Sequence, residues 1–81
     1  MTFLPVEVDC SFDLEGGVRI RRVRINDRWQ HVDQGRQWRD ETGRHLLVMM
    51  LDGRIHELVL RPATLRWELS VEPSGGRRAV V

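Results

Sequence analysis

Three arginine–tryptophan neighbours recur in the chain: Arg28-Trp29, Trp38-Arg39 and Arg66-Trp67. An arginine run, Arg19, Arg21, Arg22 and Arg24, precedes the first of them. Guanidinium groups hold phosphates, and aromatic rings offer a face on which unpaired bases stack, so the run with Trp29 and Trp38 is the candidate nucleic-acid surface. In a strand, however, adjacent residues point to opposite faces, and Trp67 reads as core with its arginine neighbour in solvent. The acids Glu7, Asp9, Glu15 and Asp27 could neutralise the strip, leaving an ordinary solvated face. His31, His45 and His56 are the residues a metal would choose. In the register derived below, His45 and His56 stand about four rungs apart, ~13 Å at ~3.3 Å per residue, too far for one ion. Cys10 lies within an apolar alternation and has the character of a small core residue rather than a nucleophile. Neither a glycine-rich phosphate loop nor a defined carboxylate pair occurs. The expectation is a protein that is not an enzyme, with no catalytic residue, no cofactor and no metal.

These residues must be positioned by strands. Asp52-Gly53 separates two apolar runs and suits the positive-φ positions of a two-residue hairpin turn. A two-residue turn predicts Leu51 facing Arg54, Met49 facing His56, Leu47 facing Leu58 and His45 facing Leu60. A loop at 61–64 then sets Leu65 opposite Leu60 and Trp67 opposite Leu58. The predicted core is Leu47, Met49, Leu51, Leu58, Leu60, Leu65, Trp67 and Leu69. The opposite face of the same hairpin carries Leu46, Val48, Met50, Ile55 and Val59. A sheet with one wet face does not look like that, so either the N-terminal strands wrap round to cover it or another chain does. Those five residues are the candidate protein interface.

Upstream, residues 4–12 alternate as a first strand, with Pro5 at its edge or start. In 18–26, Val18 and Ile20 have one parity and Val23 and Ile25 the other. A β-bulge near Arg21-Arg22 restores all four to one face. Asn26-Asp27 marks a corner, and Asp33-Gln34-Gly35 reads as a turn between short strands at 28–32 and 36–39. Asp40-Glu41-Thr42-Gly43 leads into the central hairpin. Residues 72–81 have the composition of a disordered tail, leaving 1–71 as one small domain. The fold class is all-β: five to six short antiparallel strands in a curled meander or small SH3-like barrel, with no substantial helix.

Eighty-one residues bury only about 60–65% of the unfolded surface, so a partner would help stability. The net charge is +1, and all thirteen basic residues are arginine. One cysteine, no membrane-length apolar run and no signal-peptide pattern point to a cytoplasmic protein. Several features together resemble a known family: Phe12-Asp13-Leu14-Glu15-Gly16-Gly17, Arg19-Ile20-Arg21-Arg22-Val23, Arg28-Trp29, Trp38, Gly53, Ile55, Glu57-Leu58 and Thr64-Leu65-Arg66-Trp67-Glu68-Leu69. That family consists of small, uncharacterised bacterial domains that occur beside, or at the C-terminal end of, Y-family DNA polymerase-like proteins of actinobacterial mutagenesis systems. The match spans roughly residues 12–70. The chain departs from it at Gln37, where a second tryptophan is common, and at Ile20, where an aromatic is. The resemblance implies a DNA-repair context and no catalytic residue. The expected function is a non-catalytic interaction module, through a homodimer or a larger protein partner, with a nucleic-acid accessory module as the alternative and no membrane role.

Overall fold

Strand follows strand because apolar residues alternate over short stretches and turn residues interrupt them. The computed structural model describes residues 2–72, so the tail expected from residue 72 lies, from Pro73 onward, outside the described residues. Eight strands run β1 Phe3–Pro5, β2 Glu7–Phe12, β3 Val18–Ile25, β4 Arg28–His31, β5 Asp33–Asp40, β6 Gly43–Met49, β7 Ile55–Arg61 and β8 Arg66–Ser70. All pairings are antiparallel, in one sheet ordered β1-β8-β7-β6-β5 and a second ordered β2-β3-β4. The all-β expectation holds. Among the described residues no helix is long and apolar enough to cross a membrane.

The chain changes sheets twice, at single valines. Between β1 and β2, the Val6 amide donates to the Trp67 carbonyl at 3.0 Å; between β4 and β5, the Val32 amide donates to the Arg21 carbonyl at 3.4 Å. Corners of this kind let one long strand serve two sheets packed across each other. The result is a curled two-layer sandwich rather than a barrel closed by one continuous ladder. The expected turn at Asp33-Gln34-Gly35 is instead the start of β5, because the bend falls at Val32 and the register with β6 slips between Gln34 and Gln37.

The central hairpin forms where expected, but with a different register. Met49 pairs with Ile55, Val48 with His56, Leu47 with Glu57, and Leu46 with Leu58. The Met50 amide donates to the Arg54 carbonyl at 2.8 Å, so the loop has three residues, Leu51-Asp52-Gly53, with Gly53 at φ +86°. A three-residue loop that ends in a left-handed glycine is the next most favoured hairpin after the two-residue kind. One added loop residue shifts the pairing by one and turns every β6 side chain to the other face relative to β7. A two-residue turn with both residues at positive φ does occur, at Asn26-Asp27 (φ 53° and 63°) between the paired Ile25 and Arg28.

The predicted core is corrected in part: Leu58 and Leu47 are buried as expected, Leu47 on the outer face of its sheet. Leu46, Val48, Met50 and Leu58 pack with Val18, Ile20 and Val23 of β3 between the sheets, flanked by Val8, Cys10, Ile25, Trp67 and Leu69. Leu51 occupies the hairpin loop and Leu65 the last, positive-φ position (56°) of the β7–β8 turn, so both are exposed. That turn keeps Trp67 on the inner face but opposite Leu60, with Leu69 opposite Leu58. The bulge expected near Arg21-Arg22 is present. Asp9 pairs with Arg22 and Cys10 with Ile20, leaving Arg21 as the extra residue, and Val18, Ile20 and Val23 all become buried.

Candidate functional site

The outer face of the smaller sheet carries the arginine run. Register alone places Glu7 beside Arg24, Asp9 beside Arg22 and Ser11 beside Arg19. Asp9 is shared: one carboxylate oxygen accepts from Arg22 Nε at 3.0 Å, the other from Arg21 Nη2 at 3.2 Å. The hydrogen bond from Arg22, then that from Arg21, hold the Asp9 carboxyl below its ordinary range. Arg24 spans Glu7 at 2.9 Å and Asp27 at 3.7 Å. Three of the four candidate phosphate ligands are therefore compensated within the sheet, and Arg19 is the one without an ion pair among the described residues. Arg22 also lies 4.9 Å above the Trp29 ring, which is half-exposed on the same face.

Trp38 is not part of this surface. It pairs with His45 across β5 and β6, on the outer face of the larger sheet. There the rings stack at 5.3 Å and 6°, with the Arg36 guanidinium 5.0 Å from the indole. The two sheets' outer faces point away from each other, so Trp29 and Trp38 cannot hold one strand together.

Around His45 the fold builds a cluster absent from the sequence-based reading. Asp40 opens the β5–β6 turn by accepting the Thr42 amide at 2.8 Å and the Thr42 hydroxyl at 2.6 Å. His45 Nε2 lies 3.0 Å from the same Asp40 oxygen and 2.8 Å from the Thr42 hydroxyl, while Nδ1 lies 2.6 Å from Glu57 Oε2. The Thr42 hydroxyl and amide, with His45 after them, hold Asp40 down at about 2. A hydroxyl, an imidazole and a carboxylate in series have the spacing of a nucleophile relay. Here, though, Asp40 accepts the hydroxyl proton and faces the same nitrogen. Both ring nitrogens are thus engaged by carboxylates, and the ring cross-links the β5–β6 turn to β7. Glu57 reaches His45 as a diagonal neighbour, since His45 pairs with Val59 two residues on. The expected register would have put Glu57 on the opposite face, which is why the cluster was missed; Asp-x-Thr at a turn was its one legible part.

The five candidate interface residues are not a free surface. Leu46, Val48 and Met50 face inward, between the sheets. Ile55 and Val59 face outward but are buried at 8% and 0% exposure. Around them on that face stand Trp38, His45, Glu57 and Glu68; Glu68 is bound by Arg61 at 3.0 Å, and the Arg61 guanidinium lies over Phe3 at 5.4 Å. Long side chains of this kind cover apolar surface with their stems while keeping charge in water. The motive for a second chain on this hairpin falls away, because β3 covers one side and polar side chains the other.

The three histidines occupy three places: His31 on the smaller sheet's outer face, His45 in its cluster, and His56 facing inward, with Nδ1 2.9 Å from the Ser70 carbonyl. Among the described residues no three His, Cys, Asp or Glu side chains converge to hold a metal ion. Cys10 points toward the core, and burial pushes its thiol up. No protein-family model, no curated protein and no solved structure matches the chain.

The end of the sandwich near Gly43 was not legible as a surface in the sequence. Gly16 abuts the Arg44 guanidinium, and Gly43 abuts Leu60 and Pro62, so the turns at 13–17, 40–43 and 62–65 gather there. Phe12, Leu14 and Leu65 are all exposed, Leu14 completely so at 106%. The Leu14 turn is rigidly made. One Asp13 oxygen accepts the Glu15 amide at 2.9 Å and the Gly17 amide at 2.7 Å, while the Gly16 amide donates to the Asp13 carbonyl at 3.1 Å.

Proposed function

We propose that the protein is a small, non-catalytic interaction module that docks on a larger protein through the end carrying Phe12, Leu14 and Leu65. The observation that carries this reading is Leu14, an apolar side chain held wholly in water by a turn whose amides are already satisfied. An apolar side chain carried on a backbone turn already closed by hydrogen bonds loses little backbone entropy on docking, which favours its use as an anchor. The resemblance to domains that accompany Y-family polymerase-like proteins supports a partner of that kind, in a DNA-repair setting in the cytoplasm. Titrating the labelled chain with such a polymerase-like protein tests it. Saturable binding is expected, lost in the double variant Leu14→Asp, Leu65→Asp with the melting midpoint unchanged, since exposed substitutions cost less than about 0.5 kcal/mol. Binding that survives the double variant overturns the surface assignment. A concentration-dependent rise in sedimentation coefficient for the chain alone, removed by the same variant, would make the partner a second copy.

Nucleic-acid binding is the second reading, supported by the half-exposed Trp29 beneath Arg22 and by Arg19, which has no ion pair among the described residues. Compensation of Arg21, Arg22 and Arg24 weakens it. Fluorescence anisotropy with a labelled single-stranded oligonucleotide decides the matter. Charge-driven binding must fall steeply as salt rises and be lost in Arg22→Glu, Arg24→Glu, whereas no binding at tens of micromolar protein at low salt retires the reading.

A further inference from the structure

Between the Val6 corner, the β3–β4 turn and the β6–β7 loop, the sheets part around a cavity of about 560 Å³. That volume lies within the range of small-ligand sites, and the open mouths of curled sheets are a usual place for them. Ile25, Met50 and Leu69 give the cavity an apolar floor continuous with the core. Leu4 and Val71 stand at its edge about half-exposed. The polar groups above them divide into used and unused. Arg24 is occupied by Glu7 and Asp27. Arg54 is held more loosely: its Nε pairs with Asp52 at 3.8 Å, beyond hydrogen-bond reach, and the side chain is 68% exposed. Asp52 meanwhile spends its other oxygen on the Arg54 amide at 2.9 Å. His56 has Nδ1 directed at the Ser70 carbonyl, which makes that nitrogen the donor and leaves Nε2 as the acceptor when the ring is neutral. Nε2 has no hydrogen-bond partner among the described residues.

We propose that this mouth binds a small amphipathic carboxylate, with its apolar body on Ile25, Met50 and Leu69 and its carboxylate on the Arg54 guanidinium. A planar guanidinium whose acid partner, Asp52, makes no hydrogen bond to it can turn to a carboxylate's two oxygens, and the apolar floor supplies the rest of the affinity. His56 Nε2 and Gln30 border the same space and would grade ligands by their other polar groups.

The probe is sodium octanoate, titrated into the full chain and followed by amide chemical shifts, with octan-1-ol as the neutral control. Saturable shifts are expected at Met50, Arg54, His56 and Leu69, with a dissociation constant at or below about 1 mM. Arg54→Gln should weaken octanoate about tenfold, the loss of one charge-assisted contact, and leave octanol unaffected. Being exposed, the substitution leaves the fold intact, so its spectrum remains interpretable. No saturation by ~10 mM, an order of magnitude above the expected constant, overturns the proposal. Equal affinity for the alcohol, indifference to Arg54→Gln, or shifts scattered over Leu14, Leu51 and Leu65 would do the same, since each describes adsorption without an anion site.

Discussion

Asp40 shows at the residue scale what a short turn can do to one carboxylate. It accepts the Thr42 hydroxyl, the Thr42 amide and His45, and is held at about 2. A carboxyl whose folded value lies below its unfolded one stabilises the native state above the unfolded value and loses that contribution as pH falls through the folded one. For Asp40 the window runs from about 4 down to about 2. Asp9, lowered by Arg22 and Arg21, acts in the same direction. Urea midpoints measured at half-unit steps across this window should fall with acid in the parent and fall less steeply in Asp40→Asn, with the Asp9 part remaining. An unchanged slope would mean that the cluster contributes nothing to acid stability. The residues of this cluster stand in plain view in the sequence, but their convergence does not, because Glu57 comes from the next strand and meets His45 only in one register.

Turn geometry decides that register at the scale of elements, and glycines report on it. Gly53 closes the three-residue loop at φ +86° with open space where a side chain would project. Gly43 opens β6 at φ +138°, where a Cβ would overlap the Leu60 carbonyl oxygen. Gly53→Ala should therefore cost only the left-handed backbone penalty, about 1–2 kcal/mol. Gly43→Ala should cost about 3 kcal/mol or more, because backbone strain and a backbone clash add. Denaturation midpoints of the two variants check this, and equal costs would contradict the close passage of Gly43 against β7. The hairpin was legible from Asp52-Gly53. Its loop length was not: two- and three-residue loops both use glycine there, yet they place opposite faces of β6 against β7. The β3 bulge was legible because two pairs of apolar residues with opposed parity cannot share a core without it.

At the scale of the whole molecule, glutamine side chains of β5 join the sheets where no ladder does, Gln34 foremost and Gln37 through a longer bond to the Val18 carbonyl at 3.4 Å. Gln34 accepts the Ile20 amide and donates to the Val18 carbonyl, both at 2.7 Å, standing in for a strand beside the first half of β3. Gln34→Ala leaves the Ile20 amide without its partner and the Val18 carbonyl with only the longer bond from Gln37 Nε2 at 3.4 Å, and should cost about 1–3 kcal/mol. Hydrogen exchange gives the specific readout. The Ile20 amide should lose protection in Gln34→Ala and keep most of it in Gln34→Glu, which retains the acceptor. Undiminished protection in the alanine variant would remove Gln34 from this role.

The all-β class, the strand at 18–25, the central hairpin and the acids able to neutralise the arginine strip were determined by local sequence. Period-two alternation, turn chemistry and charge proximity act within a few residues or across one hairpin. Which face of the hairpin is core was decided by the tertiary structure, because Leu46 and Leu47 are equally apolar and only the covering β3 distinguishes them. The same holds for the separation of Trp29 from Trp38. Strand alternation gives each a face but cannot say that the chain changes sheets at Val32 between them. That bend carries two nearby tryptophans to outward faces on opposite sides of the molecule.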